Sequence, residues 1–408
     1  MNQFSKFSII LLLSILVIGG LFRVIGYSET WQLWNVPTMD LHFADVRVIT
    51  HASESIAAGK DPLIENIADP WGRQLNYPRV WQSLLFLGIN EKHTTLLGFL
   101  FISLFFAGVI LFIRGLKPTN LLIFFPLLLS PAVMMGVERA NTDLLIFFLL
   151  SLIVIFAKKR ANLAMLTIGI ASILKLYPIF ATGVFLILDR KKALTCIFIC
   201  SCVMVLYCVM TFSDILKIRE VTPIGVVLGY GARVFQTSVG EIYYPWLYQA
   251  KVLTIAGIAF IGIRAVTLFK IRLRVSSDVE SSYEMNGFRV GSCVFLGTFL
   301  VGTNWDYRMM ILLFTVPQLW VWAKNSMCAV SMQSKATLVF ISFSLWSMFL
   351  AQFTRGIPYG PLIGFVLDEF SNWFVFASLL FLLIRSLPEW VFEILSSFQK
   401  TVTKLQSR

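Results

Sequence analysis

Charge is scarce in this chain. Asp, Glu, Lys and Arg make up 14% of its 408 residues, where a soluble domain carries about a quarter. Hydrophobic residues reach 57% and mean hydropathy is +0.79, which excludes an ordinary soluble domain. Histidine is scarcer still: three are too few to suggest a transition-metal centre. Of the six cysteines, Cys196, Cys200, Cys202 and Cys208 share one apolar segment, Cys293 and Cys328 lie elsewhere, and none is in the long polar stretch near the N-terminus. They read as small membrane-embedded hydrophobes, not as a disulfide framework or a zinc site. There is also no internal repeat, low-complexity tract or soluble catalytic domain. Any chemistry must come from loops and helix ends.

What charge there is has a pattern. The net +12 and pI near 9.5 come largely from basic residues in short loops between apolar segments: Arg114/Lys117, Lys158/Lys159/Arg160, Arg190/Lys191/Lys192 and Lys270/Arg272/Arg274. This is the positive-inside signature of cytoplasmic loops. Nucleic acid is not a partner on this reading, since no basic surface interleaved with stacking aromatics is present. Membrane lipids are.

Spanning a bilayer takes roughly 17–25 apolar residues. Candidate runs are 8–27, 93–113, 119–136, 143–157, 193–212, 246–269, 290–303, 309–323, 336–352 and 370–386. Basic loops flank both ends of 162–188, so that stretch crosses twice, as two short helices meeting at Lys175–Pro178, where proline removes a helix donor. The expectation is an all-α polytopic membrane protein of about twelve (ten to thirteen) spans. It forms one integral domain: a first helix at 8–27, read as uncleaved, an outer loop at 28–90, a helix bundle at 91–386 and an interfacial cytoplasmic tail at 387–408. In that tail Trp390, Val391, Ile394, Leu395 and Phe398 recur at helical spacing. Both termini are then cytoplasmic, and 137–142, 213–245, 303–308 and 353–369 join 28–90 on the outside.

Three polar clusters interrupt the apolar sequence: Val137-Glu138-Arg139-Ala140-Asn141-Thr142-Asp143, Leu174-Lys175-Leu176-Tyr177-Pro178 and Thr303-Asn304-Trp305-Asp306-Tyr307-Arg308. Ionisable residues at membrane depth are candidate functional groups. All three clusters are expected on the side of the long outer loop. Within that loop, Asp45 to Ala58 carries Val46, Val48, Ile49, Ile56 and Ala57 on a spacing that predicts a short amphipathic surface helix, closed by Gly59.

At this point the pattern resembles a family. An aspartate ahead of Ala58-Gly59-Lys60-Asp61-Pro62, followed by Asn76-Tyr77-Pro78-Arg79, is similar to the first loop of the GT-C glycosyltransferases, in particular glycosyltransferase family 87, the polyprenol-phosphate-mannose-dependent type. Glu138 to Leu145, Gly169 through Lys175-Leu176-Tyr177-Pro178, and Trp305-Asp306-Tyr307-Arg308 continue the likeness, which covers most of 40–320. The chain departs from the pattern at Ala140, where glycine is usual, and at Asn76-Tyr77-Pro78-Arg79, where a second proline often follows.

The resemblance implies a GT-C-like bundle and an inverting transferase on the outer membrane face. Its donor would be a polyprenyl-phosphate sugar, mannose most of all, and its acceptor a glycan or glycolipid; neither a metal nor another cofactor is expected. Asp45 matches the family's base position, with Asp40 as the alternative. A departing phosphate calls for fixed positive charge, which arginine supplies as a two-pronged donor and lysine as a point charge. Arg139, Lys175 and Arg308 are the candidates, with hydroxyls from Tyr177 and Tyr307. Glu138, Asn141, Asp143, Asn304 and Asp306 are supporting or sugar-binding residues; the carboxylates among them could equally form buried ion pairs. Trp71, Trp81 and Trp305 fit an interfacial belt better than sugar stacking, and His42 and His51 fit solvated or hydrogen-bonded roles. Gly229-Tyr230-Gly231-Ala232-Arg233 reads as a turn near donor or acceptor. A transporter or lipid-linked-sugar flippase shares the buried charges and is the alternative.

Overall fold

The computed structural model describes residues 3–116, 121–225, 228–242, 244–271, 282–327, 329–394 and 397. Lys117, Arg272, Arg274, Cys328, Leu395 and Phe398 lie outside the described residues. Among those described the fold is all-α apart from one pair of two-residue strands.

Helix α1 (Gln3–Val24) leads to α2 (Tyr27–Gln32) and α3 (Ala44–Ala57), then through 3-10 turns Arg79–Leu87 and Glu91–His93 into α4 (Thr94–Arg114). There follow α5 (Leu121–Leu128), α6 (Pro131–Arg139), α7 (Asp143–Phe156), α8 (Ala161–Leu174), a 3-10 stretch Tyr177–Ile187, α9 (Arg190–Met210) and α10 (Phe212–Val221). Strand β1 (Gly229–Tyr230), α11 (Val234–Ile242), α12 (Leu247–Ile271), α13 (Tyr283–Val301) and β2 (Asn304–Trp305) come next. The chain then runs through a 3-10 stretch Asp306–Phe314 to α14 (Val316–Lys324), α15 (Ser331–Thr354) and α16 (Gly360–Arg385). The surface helix predicted from Asp45 is α3, and Gly59 beyond its end has φ +73°, the left-handed value that favours glycine.

Among the described residues six helices are long and apolar enough to cross a membrane: Phe7–Val24, Glu91–Arg114, Arg190–Met210, Leu247–Phe269, Ser331–Thr354 and Gly360–Arg385. A seventh arises if α6 and α7, bent by 114°, count as one span. The chain is a membrane-embedded helix bundle. About twelve spans were expected; six or seven are unbroken helices of spanning length among the described residues, and several other apolar runs break at polar residues. The run 162–188 divides into α8 and Tyr177–Ile187, and 309–323 divides at Thr315. Such pieces are shorter than the roughly 20 residues a 30 Å hydrocarbon layer requires. The expected loop at 353–369 is also mostly helical. Residues 360–369 open α16, with Pro361 in its first turn, where a missing N–H costs nothing.

The core lies where α4, α7, α13 and Asp306–Phe314 meet. Phe147 stacks on Phe314 at 4.4 Å between ring centres, and Phe105 and Phe112 close on the pair at 4.9 Å. Gly287 and Gly291 let Asp306–Phe314 lie directly on α13, since a Cβ there would stand 2.8 Å from Phe314 O and 3.0 Å from Ile311 O respectively. By contrast α1, α9 and α12 are largely unburied along their apolar lengths. Without lipid those faces would be exposed apolar patches.

Candidate functional site

The three polar clusters and the long loop meet at one place, organised by Asp143. The chain turns there because Ala140 adopts the left-handed conformation (φ +46°) and ends α6. Asn141 Oδ1 then accepts the Asp143 N–H at 2.8 Å as α7 begins. The Asp143 carboxylate, buried, receives Lys175 Nζ at 2.6 Å and the Tyr177 hydroxyl at 2.7 Å on Oδ1, and Arg308 Nε at 3.1 Å on Oδ2. Two cations thus face one carboxylate, and a formal positive charge is left over.

Asn141 joins this centre to the outer loop. Its Oδ1 also accepts from Lys175 Nζ at 3.1 Å, and its Nδ2 donates to Asp45 Oδ2 at 2.5 Å. Asp45 is the second residue of α3 and its side chain is 18% exposed, so it is both held and reachable. Its other oxygen faces Arg73 Nη1 at 3.8 Å. Arg73 is fixed in turn by Asp69, through Nε at 3.2 Å and Nη2 at 2.9 Å, and by the Ala44 carbonyl at 2.7 Å, and it stacks on Trp71 at 4.4 Å.

Each piece is supported from behind. Lys175 follows the last residue of α8, whose carbonyl at Leu174 takes the Trp81 indole N–H at 3.0 Å, filling one of the acceptors a helix end leaves open. Tyr77 lies with its ring 5.4 Å from Lys175 Nζ. Burial first, then the nearby Asp45 carboxylate, pushes the Tyr77 phenol well above its ordinary value, so it stays protonated. Arg308 lies over the Tyr177 ring at 4.6 Å and donates to Asn304 Oδ1. Asn304 is pinned to the Thr298 carbonyl at 2.8 Å and by β1–β2 pairing of Tyr230 with Asn304. The Gly229–Arg233 turn is therefore a clamp on the Arg308 anchor. Gly231 has φ +136°, and its backbone packs on the Gly302 carbonyl so closely that no side chain fits.

Tyr307 is half-buried, within electrostatic range of Asp45, Asp143, Arg308 and Arg139, and its hydroxyl has no hydrogen-bond partner among the described residues. Glu138 and Arg139 form their own ion pair at 2.8 Å, with Glu138 Oε1 accepting from Met39 N and Arg139 donating to the Pro37 carbonyl. That pair braces the 37–39 segment ahead of α3. Asp40 is exposed and has no ion pair or hydrogen bond among the described residues. Asp306 is brought to a different place: it is buried near Asp368 and Glu369 of α16. His51 is buried, with Nδ1 at 2.9 Å from the Arg47 carbonyl, and Trp305 donates to Pro223 O.

Sequence reading did not place Arg73, Asp69, Tyr77 or Trp81 at the site. The signal was present for two of them: an arginine four residues after an aspartate, in a turn built on Pro70 and Gly72, stabilises itself and projects a fixed cation. Among the described residues no set of three or more His, Cys, Asp or Glu side chains is gathered so as to hold a metal ion.

Beside the site runs an apolar cavity of about 370 Å³ between α8 and α9. Its wall includes Ile173 and Ile179, which bracket Lys175 and Tyr177 in sequence, together with Gly169, Met204 and Tyr207.

Comparison with family models, with curated proteins and with solved structures finds no match to this chain.

Proposed function

We propose that this chain is an inverting glycosyltransferase of the GT-C type. It would move a hexose, mannose by the family resemblance, from a polyprenyl-phosphate sugar to a lipid-linked or envelope glycan on the outer face of the membrane. One observation carries the reading: Asn141 hydrogen-bonds to Asp45 on one side and to Lys175 on the other. A carboxylate base and an anion-binding centre are thereby held a side chain apart, as in-line displacement at a sugar phosphate requires.

In the step itself, the acceptor hydroxyl passes its proton to Asp45 as its oxygen bonds to the anomeric carbon. The bond from that carbon to the phosphate oxygen breaks, and its electron pair leaves with the polyprenyl phosphate. Lys175, Arg308 and the free Tyr307 hydroxyl receive the phosphate oxygens, for which charge-assisted hydrogen bonds are the strong choice. The apolar cavity beside Lys175 suits the isoprenoid chain of such a donor. The basic loops support the orientation, with about twelve helical passes including broken ones, cytoplasmic ends and the site outside.

A transporter or lipid-linked-sugar flippase would use the same cavity and buried charges, but would give Asp45 no chemical part. Consumption of a radiolabelled polyprenyl-phosphate mannose by purified protein in lipid vesicles, with envelope extract as acceptor, separates the two. Consumption that requires extract and Asp45 supports the transferase. Label that changes leaflet with no consumption supports the flippase.

A further inference from the structure

A second polar site lies inside the bundle, apart from Asp45 and Asp143. Asp306, Asp368 and Glu369 are 1%, 6% and 4% exposed, and among the described residues none of them forms an ion pair. Asn372 is 1% exposed and directs its amide into this group, with Nδ2 donating to Asp368 Oδ2 at 3.0 Å. Its own Oδ1 has no donor. Asp306 Oδ1, Asp368 Oδ1 and both Glu369 oxygens are likewise buried without a hydrogen-bond donor. Every unsatisfied atom here is an acceptor. The donors that approach it, Ser347 toward Asp368 and Trp373 toward Glu369, are neutral and leave these oxygens short of a partner.

Among the described residues the surrounding elements supply no fixed positive charge. Arg308, on the same turn as Asp306, is committed to Asp143 and Asn304. Arg355 at the end of α15 is exposed and bound to Asn35. Glu241 of α11 and Lys251 and Arg264 of α12 are exposed. Arg289 of α13 bonds to the Ser386 carbonyl, eighteen residues and roughly 27 Å along α16 from Asp368. Tyr230, on the β1 side, is the neighbouring titratable group, and its hydroxyl is paired with Thr298 at 3.0 Å. Three buried carboxylates close together with no cation and only neutral donors are not stable as anions. The group does not have the geometry of a metal site.

We propose that Asp306, Asp368, Glu369 and Asn372 form a proton-binding site inside the helix bundle, loaded in the resting protein. The inference is independent of the transferase reading. Loading leaves Asp306 neutral, so it does not compete with Asp143 for Arg308, two residues on. Unloading sets an anion beside the Asn304–Arg308 turn and draws that arginine away.

The test is infrared spectroscopy of the full chain in lipid vesicles at neutral pH, where ordinary carboxyls are ionised. The expected spectrum has a carboxylic-acid carbonyl band that weakens in each of Asp306→Asn, Asp368→Asn and Glu369→Gln. Where a variant does not fold, wild-type protein treated with dicyclohexylcarbodiimide, which adds to protonated carboxyls in apolar surroundings, should carry the adduct on one of the three by mass spectrometry. A wild-type spectrum without an acid band, or a band that all three variants leave intact, overturns the proposal. One-to-one binding of sodium, potassium or calcium that Glu369→Gln removes also overturns it, because an ion would then stand where protons are proposed.

Discussion

Asn141 donates to the Asp45 carboxylate at 2.5 Å across 96 positions of sequence. This bond ties the outer loop to the break between α6 and α7, and it fixes which carboxylate of the loop meets the half-buried cations. Asp40, five residues earlier, has no such tie.

The first prediction concerns that carboxylate. Asp45→Asn keeps the shape and can still pair with Asn141 by an amide flip, but cannot take a proton. It should lower kcat by about 10²–10⁴-fold, the usual worth of a positioned base, and leave donor affinity nearly unchanged. Asp40→Asn should behave as wild type. Steady-state kinetics on both variants checks this.

The cations should act on donor binding. Arg308→Ala and Lys175→Ala each remove a charge-assisted contact of about 1.5–3 kcal/mol, so donor Kd should rise roughly tenfold to a hundredfold. Arg308→Lys should restore only part of the loss, since a point charge cannot hold Asp143 and Asn304 in one plane. Titration of labelled donor into the Asp45→Asn background measures this without turnover.

Removing the hub should damage the fold more than removing a cation. Asp143→Ala leaves the half-buried Lys175 and Arg308 without their carboxylate and should cost about 3 kcal/mol of stability. Thermal unfolding in detergent reads the loss, and added donor should recover part of it by binding the unpaired cations.

A pH effect belongs to the outer tie. The Arg79 guanidinium grips Asp61 with both nitrogens, at 3.0 and 2.8 Å, and reaches Asp214 of α10 at 2.9 Å. This holds the Asp61 carboxyl below its ordinary value of 3.8. A lowered folded-state value means the tie stabilises fully above the ordinary carboxylate range and weakens as pH falls through the lower value. Amide exchange across 61–79 and 212–217 should therefore accelerate below about pH 4, and in high salt at any pH. Asp61→Asn should exchange fast throughout.

The clamp on Arg308 gives a further check. Gly231→Ala forces a side chain into φ +136° and onto the Gly302 carbonyl. It should displace the Asn304–Arg308 turn and weaken donor binding like Arg308→Ala, though it touches no ligand. Labelled-donor titration again reports it.

Much of this architecture was legible in the sequence because it obeys local rules. The apolar spacing from Val46 to Ala57 marks α3, and Lys175–Pro178 marks the break after α8. The polar clusters announced themselves by their cost in an apolar chain. What was not legible depended on partners distant in sequence. Nothing near Asp306 says that it faces Asp368 and Glu369 and not Asp143. Arg73 carries a local signal in Asp69, four residues earlier, but its approach to Asp45 is set by the fold. The number of unbroken spanning helices was not legible, because hydropathy registers apolar content and not the length of unbroken helix.

The central claim is that Asp45 and the Asp143 centre perform sugar transfer together. The most direct test compares wild type with Asp45→Asn in vesicles supplied with radiolabelled polyprenyl-phosphate mannose and envelope extract, following both donor consumption and donor binding. Wild type should consume donor only when extract is present, and Asp45→Asn should bind donor without consuming it. Equal consumption by the two proteins would contradict the account.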